Sequence, residues 1–205
     1  DGTGGFTAET DIAAGGTDGS GPFTIDIGDF DGDTDLDILV GYNSTGIEIY
    51  YNQYIESGST AASYIKDTVP VDIDSYVYLV QSIFADVNND GIMDVVIVDV
   101  YGDVEWFSKI KNNTSTSNIL NYDSVLDEKI IANPGAVAIA DVDDDSISDV
   151  ILTDAGVSDN ALIWFKGATS ANPSETPVLE EDSNHQAYSI TVDDFDYDGL
   201  NDIAY

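Results

Sequence analysis

The chain has no cysteine and no arginine. The first absence excludes disulfides and thiolate metal centres. The second leaves five lysines as the only strong cations, against 40 Asp and Glu, for a formal charge of -35. Like-charge repulsion makes nucleic acid and anionic membrane poor partners for such a surface. Divalent cations and cationic surfaces fit it. There is one histidine, His185, and no nucleophile or base partner can be paired with it, so a catalytic histidine is not expected. No run of 18 apolar residues is present, which excludes a transmembrane helix. Hydrophobic residues still make up 42% of 205 residues, enough to bury a core in one folded unit, residues 1–205. An extracellular protein without disulfides needs another brace, and bound metal is the usual one.

What the chain has in abundance is aspartate, and it is ordered. "DFDGDTDLD" begins at Asp29, "DVNNDGIMD" at Asp86, "DVDDDSISD" at Asp141 and "DFDYDGLND" at Asp194. The starts are 57, 55 and 53 residues apart, a register that a merely solvated acidic loop would not keep. Positions 1, 3, 5 and 9 of each nonamer are Asp or Asn. They are Asp29, Asp31, Asp33 and Asp37; Asp86, Asn88, Asp90 and Asp94; Asp141, Asp143, Asp145 and Asp149; Asp194, Asp196, Asp198 and Asp202. Position 2 is apolar: Phe30, Val87, Val142, Phe195. Position 6 is Gly91 or Gly199 in two copies, as a turn with positive φ requires, and Thr34 or Ser146 in the others, where strain is expected. Position 7 would offer its backbone carbonyl, leaving its side chain free to vary among Asp35, Ile92, Ile147 and Leu200.

An all-oxygen donor set in a short loop selects a hard cation. Ca²⁺ tolerates an irregular shell, Mg²⁺ wants a stricter octahedron and ranks second, and zinc or copper would call for His or Cys. An EF-hand would need a carboxylate at position 12 and helices on both sides. Position 12 is Val40, Ile97, Leu152 or Tyr205. The flanks are short and β-branched, "FTIDIG", "VQSIFA", "AVAIA" and "SITV" before the loops, "DILVG", "DVVIVD", "DVILTD" and "DIAY" after them. Each loop therefore joins two strands. A third strand is expected at 46–52, 103–109 and 161–167, and a more polar fourth around 68–74, 128–133 and 176–181. Four strands in about fifty residues is the pattern of a propeller blade.

These loops between strands resemble the FG-GAP/VCBS repeat, the calcium-binding blade of integrin α-subunit propellers and of many secreted proteins. The resemblance covers almost the whole chain, although no literal FG…GAP pair is present and Thr34 and Ser146 depart from the family glycine. It implies an all-β fold, a propeller or propeller segment of about four blades, with up to four Ca²⁺. It also implies ligands from positions 1, 3, 5, 7 and 9 of each loop, adding Asp35, Ile92, Ile147 and Leu200 to the acidic positions. The opening segment "DGTGGFTAETDIAAGG" looks like the third and fourth strands of a blade. Either the two ends complete one blade between them, or the chain is part of a longer array. Bare sheet edges would be sticky, so closure or contact with a neighbouring copy is expected.

Trp106 and Trp164 occupy matching third-strand places, with Ile49 as the first repeat's counterpart; packing between blades is the expected role, sugar stacking the rival one. Asn43, Asn112 and Asn113 begin N-glycosylation sequons in predicted loops, a signal matched by coincidence in an Asn- and Ser/Thr-rich chain. The functional expectation is a non-enzymatic, extracellular or cell-surface calcium-binding module for adhesion, protein interaction or surface and filament assembly. Its partner would be a protein or carbohydrate ligand, or copies of itself. The alternatives are a lectin-like carbohydrate binder and a calcium-dependent polysaccharide hydrolase or lyase accessory domain.

Overall fold

A computed structural model describes residues 21–43, 46–54, 64–67, 78–110, 119–127, 133–156, 160–167, 178–181 and 186–205. The fold is all-β. Among the described residues, three antiparallel four-stranded sheets follow one another along the chain, each in plain sequential order, and a two-stranded hairpin follows them. The first sheet holds β1 (Pro22–Gly28), β2 (Asp37–Tyr42), β3 (Gly46–Asn52) and β4 (Tyr64–Asp67). The second holds β5 (Leu79–Ala85), β6 (Asp94–Asp99), β7 (Val104–Ile110) and β8 (Ile119–Asp127). The third holds β9 (Pro134–Ala140), β10 (Asp149–Asp154), β11 (Asn160–Phe165) and β12 (Val178–Glu181). The hairpin is β13 (Thr191–Asp193) with β14 (Asp202–Ala204).

All four acidic nonamers sit at the same junction, between the first and second strands of their repeat. The third strands fall where the sequence places them, within a residue or two. The fourth strands do not all do so. That of the first repeat is Tyr64–Asp67, upstream of the expected 68–74, which lies outside the described residues. That of the second is Ile119–Asp127 rather than 128–133, of which 128–132 lie outside the described residues. An outer strand pairs on one side only, so its place is set by its ladder to the third strand, Ile49↔Asp67 and Val104↔Asp127, not by a burial pattern. The opening segment 1–16, His185, Asn112 and Asn113 also lie outside the described residues.

The sheets stack face to face in chain order, β1 against β5, β5 against β9 and β9 against β13. Alternation on β6 shows why. Val95 and Ile97 join Phe30, Leu39, Ile49, Phe84 and Phe107 in a core between the first two sheets. Val96 and Val98 join Trp106, Val137, Val150 and Leu152 in a core between the second and third. "DVVIVD" is buried along its whole length, which is why it reads as a continuous apolar run. Trp106 is 2% exposed within that second core, and Ile49 occupies the equivalent place in the first, so packing is what the second repeat's tryptophan does. Trp164 is half-buried. Gly41 permits the close approach of sheets one and two. A Cβ there would stand 2.2 Å from Thr24 Oγ1 and 2.8 Å from Leu79 Cδ1. Thr24 and Ser82 hydroxyls meet across this seam at 2.6 Å, and the Phe84 N–H donates to Asp26 at 2.7 Å.

Candidate metal centres in the four loops

Each loop folds around its own backbone N–H groups. The position-1 carboxylate is gripped at both oxygens. Asp29 accepts from the N–H groups of Gly32 and Thr34, and Asp86 from those of Asp90 and Gly91. Asp141 accepts from Asp145 and Ser146, and Asp194 from Asp198 and Gly199. The position-5 carboxylate accepts the position-7 N–H in every copy, at 2.7–2.9 Å: Asp33 from Asp35, Asp90 from Ile92, Asp145 from Ile147, Asp198 from Leu200. The position-3 side chain accepts the position-5 N–H in three copies, at Asp31, Asn88 and Asp196. Such Asx turns hold one oxygen of a carboxylate and leave its remaining lone pairs for another partner.

The backbone needed for this is left-handed twice per loop. Position 6 has positive φ at Thr34 (79°), Gly91 (80°), Ser146 (68°) and Gly199 (93°). The sequence pattern anticipates this position. It does not reveal position 4, which is also left-handed at Gly32 (82°), Asn89 (52°), Asp144 (60°) and Tyr197 (64°). Gly, Asn and Asp visit this region at low cost; Thr and Tyr do not.

Position 9 has a second task. Asp37 accepts from the Phe30 N–H at 2.9 Å and, through its other oxygen, from the Asn52 N–H at 2.8 Å. Asp149 does the same with Val142 and Gly167, and Asp202 accepts from Phe195. This carboxylate thus pins the loop, and in the first and third repeats it also pins the end of the third strand. Asp37, Asp94 and Asp149 are fully buried. Burial pushes the Asp37 and Asp149 carboxyls above the ordinary range, against the backbone N–H groups that pull them down.

The folding gathers carboxylates into trios. Ligand oxygens of Asp29, Asp31 and Asp33 lie within 4.8 Å of one another, as do those of Asp141, Asp143 and Asp149, and of Asp194, Asp196 and Asp202. The second loop has the amide of Asn88 at position 3, where the others have an acid, and its three acids, Asp86, Asp90 and Asp94, form no such trio. The donors are all oxygen, crowded and partly desolvated, and fit a hard divalent cation. Three of the four loops therefore hold acidic clusters able to take a metal ion.

The third loop carries one residue that the spacing does not reveal. Lys166, just past β11, bonds the Asp143 carboxylate and reaches Asp145 Oδ2 at 2.9 Å. The Asp143 carboxylate in particular raises the Lys166 ammonium above its usual value, and Lys166 in turn holds the Asp145 carboxyl low. The equivalent places in the other repeats hold Tyr51 and Ser108. A cation in a chain with only five was the one available signal. Between the third and fourth loops lies a cleft of about 310 Å³, lined mainly by Asp141, Asp143, Asp198 and Asp202, where the Asn201 side chain donates to the Asp141 carbonyl at 2.8 Å. Asn43 is half-buried, and its side-chain oxygen accepts the Leu79 N–H between the first two repeats. Among the described residues no helix is long and apolar enough to cross a membrane, which leaves strand-built crossings aside.

No protein-family model matches this chain, and no curated protein does.

Proposed function

We propose that the protein is a calcium-braced β-propeller module of the FG-GAP/VCBS type, non-enzymatic, and used outside the cell for adhesion, protein interaction or surface assembly. In this reading each sheet is a blade and each loop a calcium site. The observation that carries it is the recurrence of one cradle, with the position-1 carboxylate held at both oxygens and the position-5 carboxylate turned by the position-7 N–H, in all four loops. Positions 1, 3 and 5, with 9, would hold the ion, and the position-7 carbonyls of Asp35, Ile92, Ile147 and Leu200 would complete its shell. When bound, the ion supplies charge neutralisation. The chain's own residues do the rest: backbone N–H groups orient the acids, and the position-9 carboxylate ties the loop to the sheet. Each empty loop is a cluster of like charges, so binding energy becomes folding energy. Extracellular modules of this donor type bind calcium at roughly 10⁻⁴–10⁻³ M, the concentration range outside cells.

The test is a melt in calcium and in chelator, with calorimetric stoichiometry. A substantial fall in Tm on chelation and three or four bound ions per chain support the reading. An unchanged melt would sink it.

A lectin-like role has one observation in its favour. Tyr197, 91% exposed, stands in the fourth loop, beside the acidic cleft. Tyrosine faces next to a bound calcium suit sugar stacking and hydroxyl ligation. A glycan array in calcium, repeated with Tyr197→Ala, separates this role from the protein-binding one.

A further inference from the structure

The third loop differs from the others in what its position-3 acid holds. In the first, second and fourth loops the position-3 side chain accepts the position-5 N–H, at Asp31, Asn88 and Asp196. In the third loop Asp143 is bonded instead by the Lys166 ammonium, which also reaches Asp145 Oδ2 at 2.9 Å. A cation thus already sits between positions 3 and 5, two of the places that would ligate a metal ion.

The backbone delivers the lysine there. The residue after it, Gly167, donates its N–H to Asp149 at position 9 of the same loop, at 2.7 Å. Gly167 lies so close to the loop that a Cβ on it would collide with the Ser148 carbonyl and stand 2.7 Å from Ile147 Cγ2. The end of the third strand is therefore pressed against the loop, and the side chain one residue earlier is carried to the loop's acids. The equivalent places in the first and second repeats hold Tyr51 and Ser108, which bring no charge. The Lys166 side chain is 44% exposed and those of Asp143 and Asp145 are 29% exposed. The ammonium can swing into water while the backbone stays in place. Exposed pairs of single charges are individually weak, and a divalent ion attracts each carboxylate with twice the charge.

We propose that Lys166 is the resident cation of the third loop, and that calcium enters this loop by displacing it, so that the third loop fills later than its neighbours. In low calcium the lysine offsets the repulsion among the loop's acids and keeps the hairpin braced. In high calcium the ion takes its place and the side chain is released to solvent. This assignment rests on the calcium reading of the loops, and gives one of those sites a lower affinity and a cause for it.

Calorimetric titration of calcium into the unaltered chain should resolve one site that fills at several-fold higher concentration than the rest, and Asp141→Ala should remove that site alone. Lys166→Gln should bring the late site level with the others, whereas Lys166→Arg, which keeps the charge, should leave it late. In a chain labelled in its lysine side chains, the Lys166 magnetic-resonance signal is identified by its loss in Lys166→Gln. It should move to the position of a free lysine as the late site fills and not before. Melts supply the sign. Lys166→Gln should lower Tm in chelator, where the loop loses its counter-ion, and raise it in dilute calcium. A Tm lowered in both conditions would mean a merely structural lysine. A late site missing from the unaltered chain, or unmoved by Lys166→Gln, would mean that the ammonium does not compete. Each of those results overturns the proposal while other loops still bind. If neither chain takes up calcium and chelator leaves both melts unchanged, the calcium reading itself has failed and the proposal falls with it.

Discussion

At the residue scale, equivalent positions with unequal surroundings give the sharpest contrasts. Thr34 and Ser146 adopt the left-handed backbone that Gly91 and Gly199 adopt freely. Thr34→Gly and Ser146→Gly should therefore each stabilise the protein by about 1 kcal/mol, after the lost unfolded-state restriction is set against relieved strain. Thermal melts in saturating calcium check this, and a lower Tm would mean that the loop relieves the strain in another way. Phe30 and Phe195 are the same residue at the same place in the repeat. Phe30→Ala should cost about 3–5 kcal/mol, because it empties a site between Phe84 and Tyr51, whereas Phe195→Ala should cost the single chain far less. Urea titration of both variants gives the comparison directly. Lys166 competes with any cation for Asp143 and Asp145. Lys166→Gln should tighten calcium at the third loop alone, seen by calorimetry as one site shifted against an unchanged remainder.

At the scale of the loop and its hairpin, protonation and metal pull in opposite directions. The Asp37 and Asp149 carboxyls are raised by burial, and so is Asp99 outside the loops. A raised carboxyl binds its proton more tightly in the folded state than in the unfolded one. Its contribution to stability is present below the unfolded value and is lost as pH rises through the folded value. Asp145, held low by Lys166, opposes this, but its carboxylate lies in solvent and is screened. In chelator, Tm should rise as pH is lowered from neutral toward the carboxylate range. In calcium it should fall over the same range, because the ligands must be ionised to bind. Melts across pH under both conditions test the sign, and parallel curves would remove the loops from the account. The hairpins also meet at tight seams. Gly41→Ala forces a Cβ into Thr24 and Leu79 and should cost about 1–3 kcal/mol without altering calcium stoichiometry.

At the scale of the whole molecule, charge is the governing quantity. A formal charge of -35 is repulsive everywhere, and four divalent ions would still leave roughly -27. The metal-free protein should gain stability steeply with monovalent salt, since the Debye length shortens to about 10 Å at 0.1 M. The calcium-loaded protein should gain less. A salt-independent melt in chelator would show that local packing, and not self-repulsion, limits the fold.

The residues by themselves determined the four loops, their register, the strands beside them and the hardness of the cation they suit. These are local properties: a side-chain period of two, a donor type, a spacing. Only the tertiary structure decided which phenylalanine of an equivalent pair is buried, where the outer strands fall and that position 4 is left-handed at a tyrosine. It also decided that a lysine from the end of β11 sits in the third loop. Each of these depends on groups far apart in the chain or on a backbone path that several hydrogen bonds impose together. A burial pattern read along one strand cannot say whether a neighbour stands across the seam, and it is that neighbour which removes the apolar surface from water.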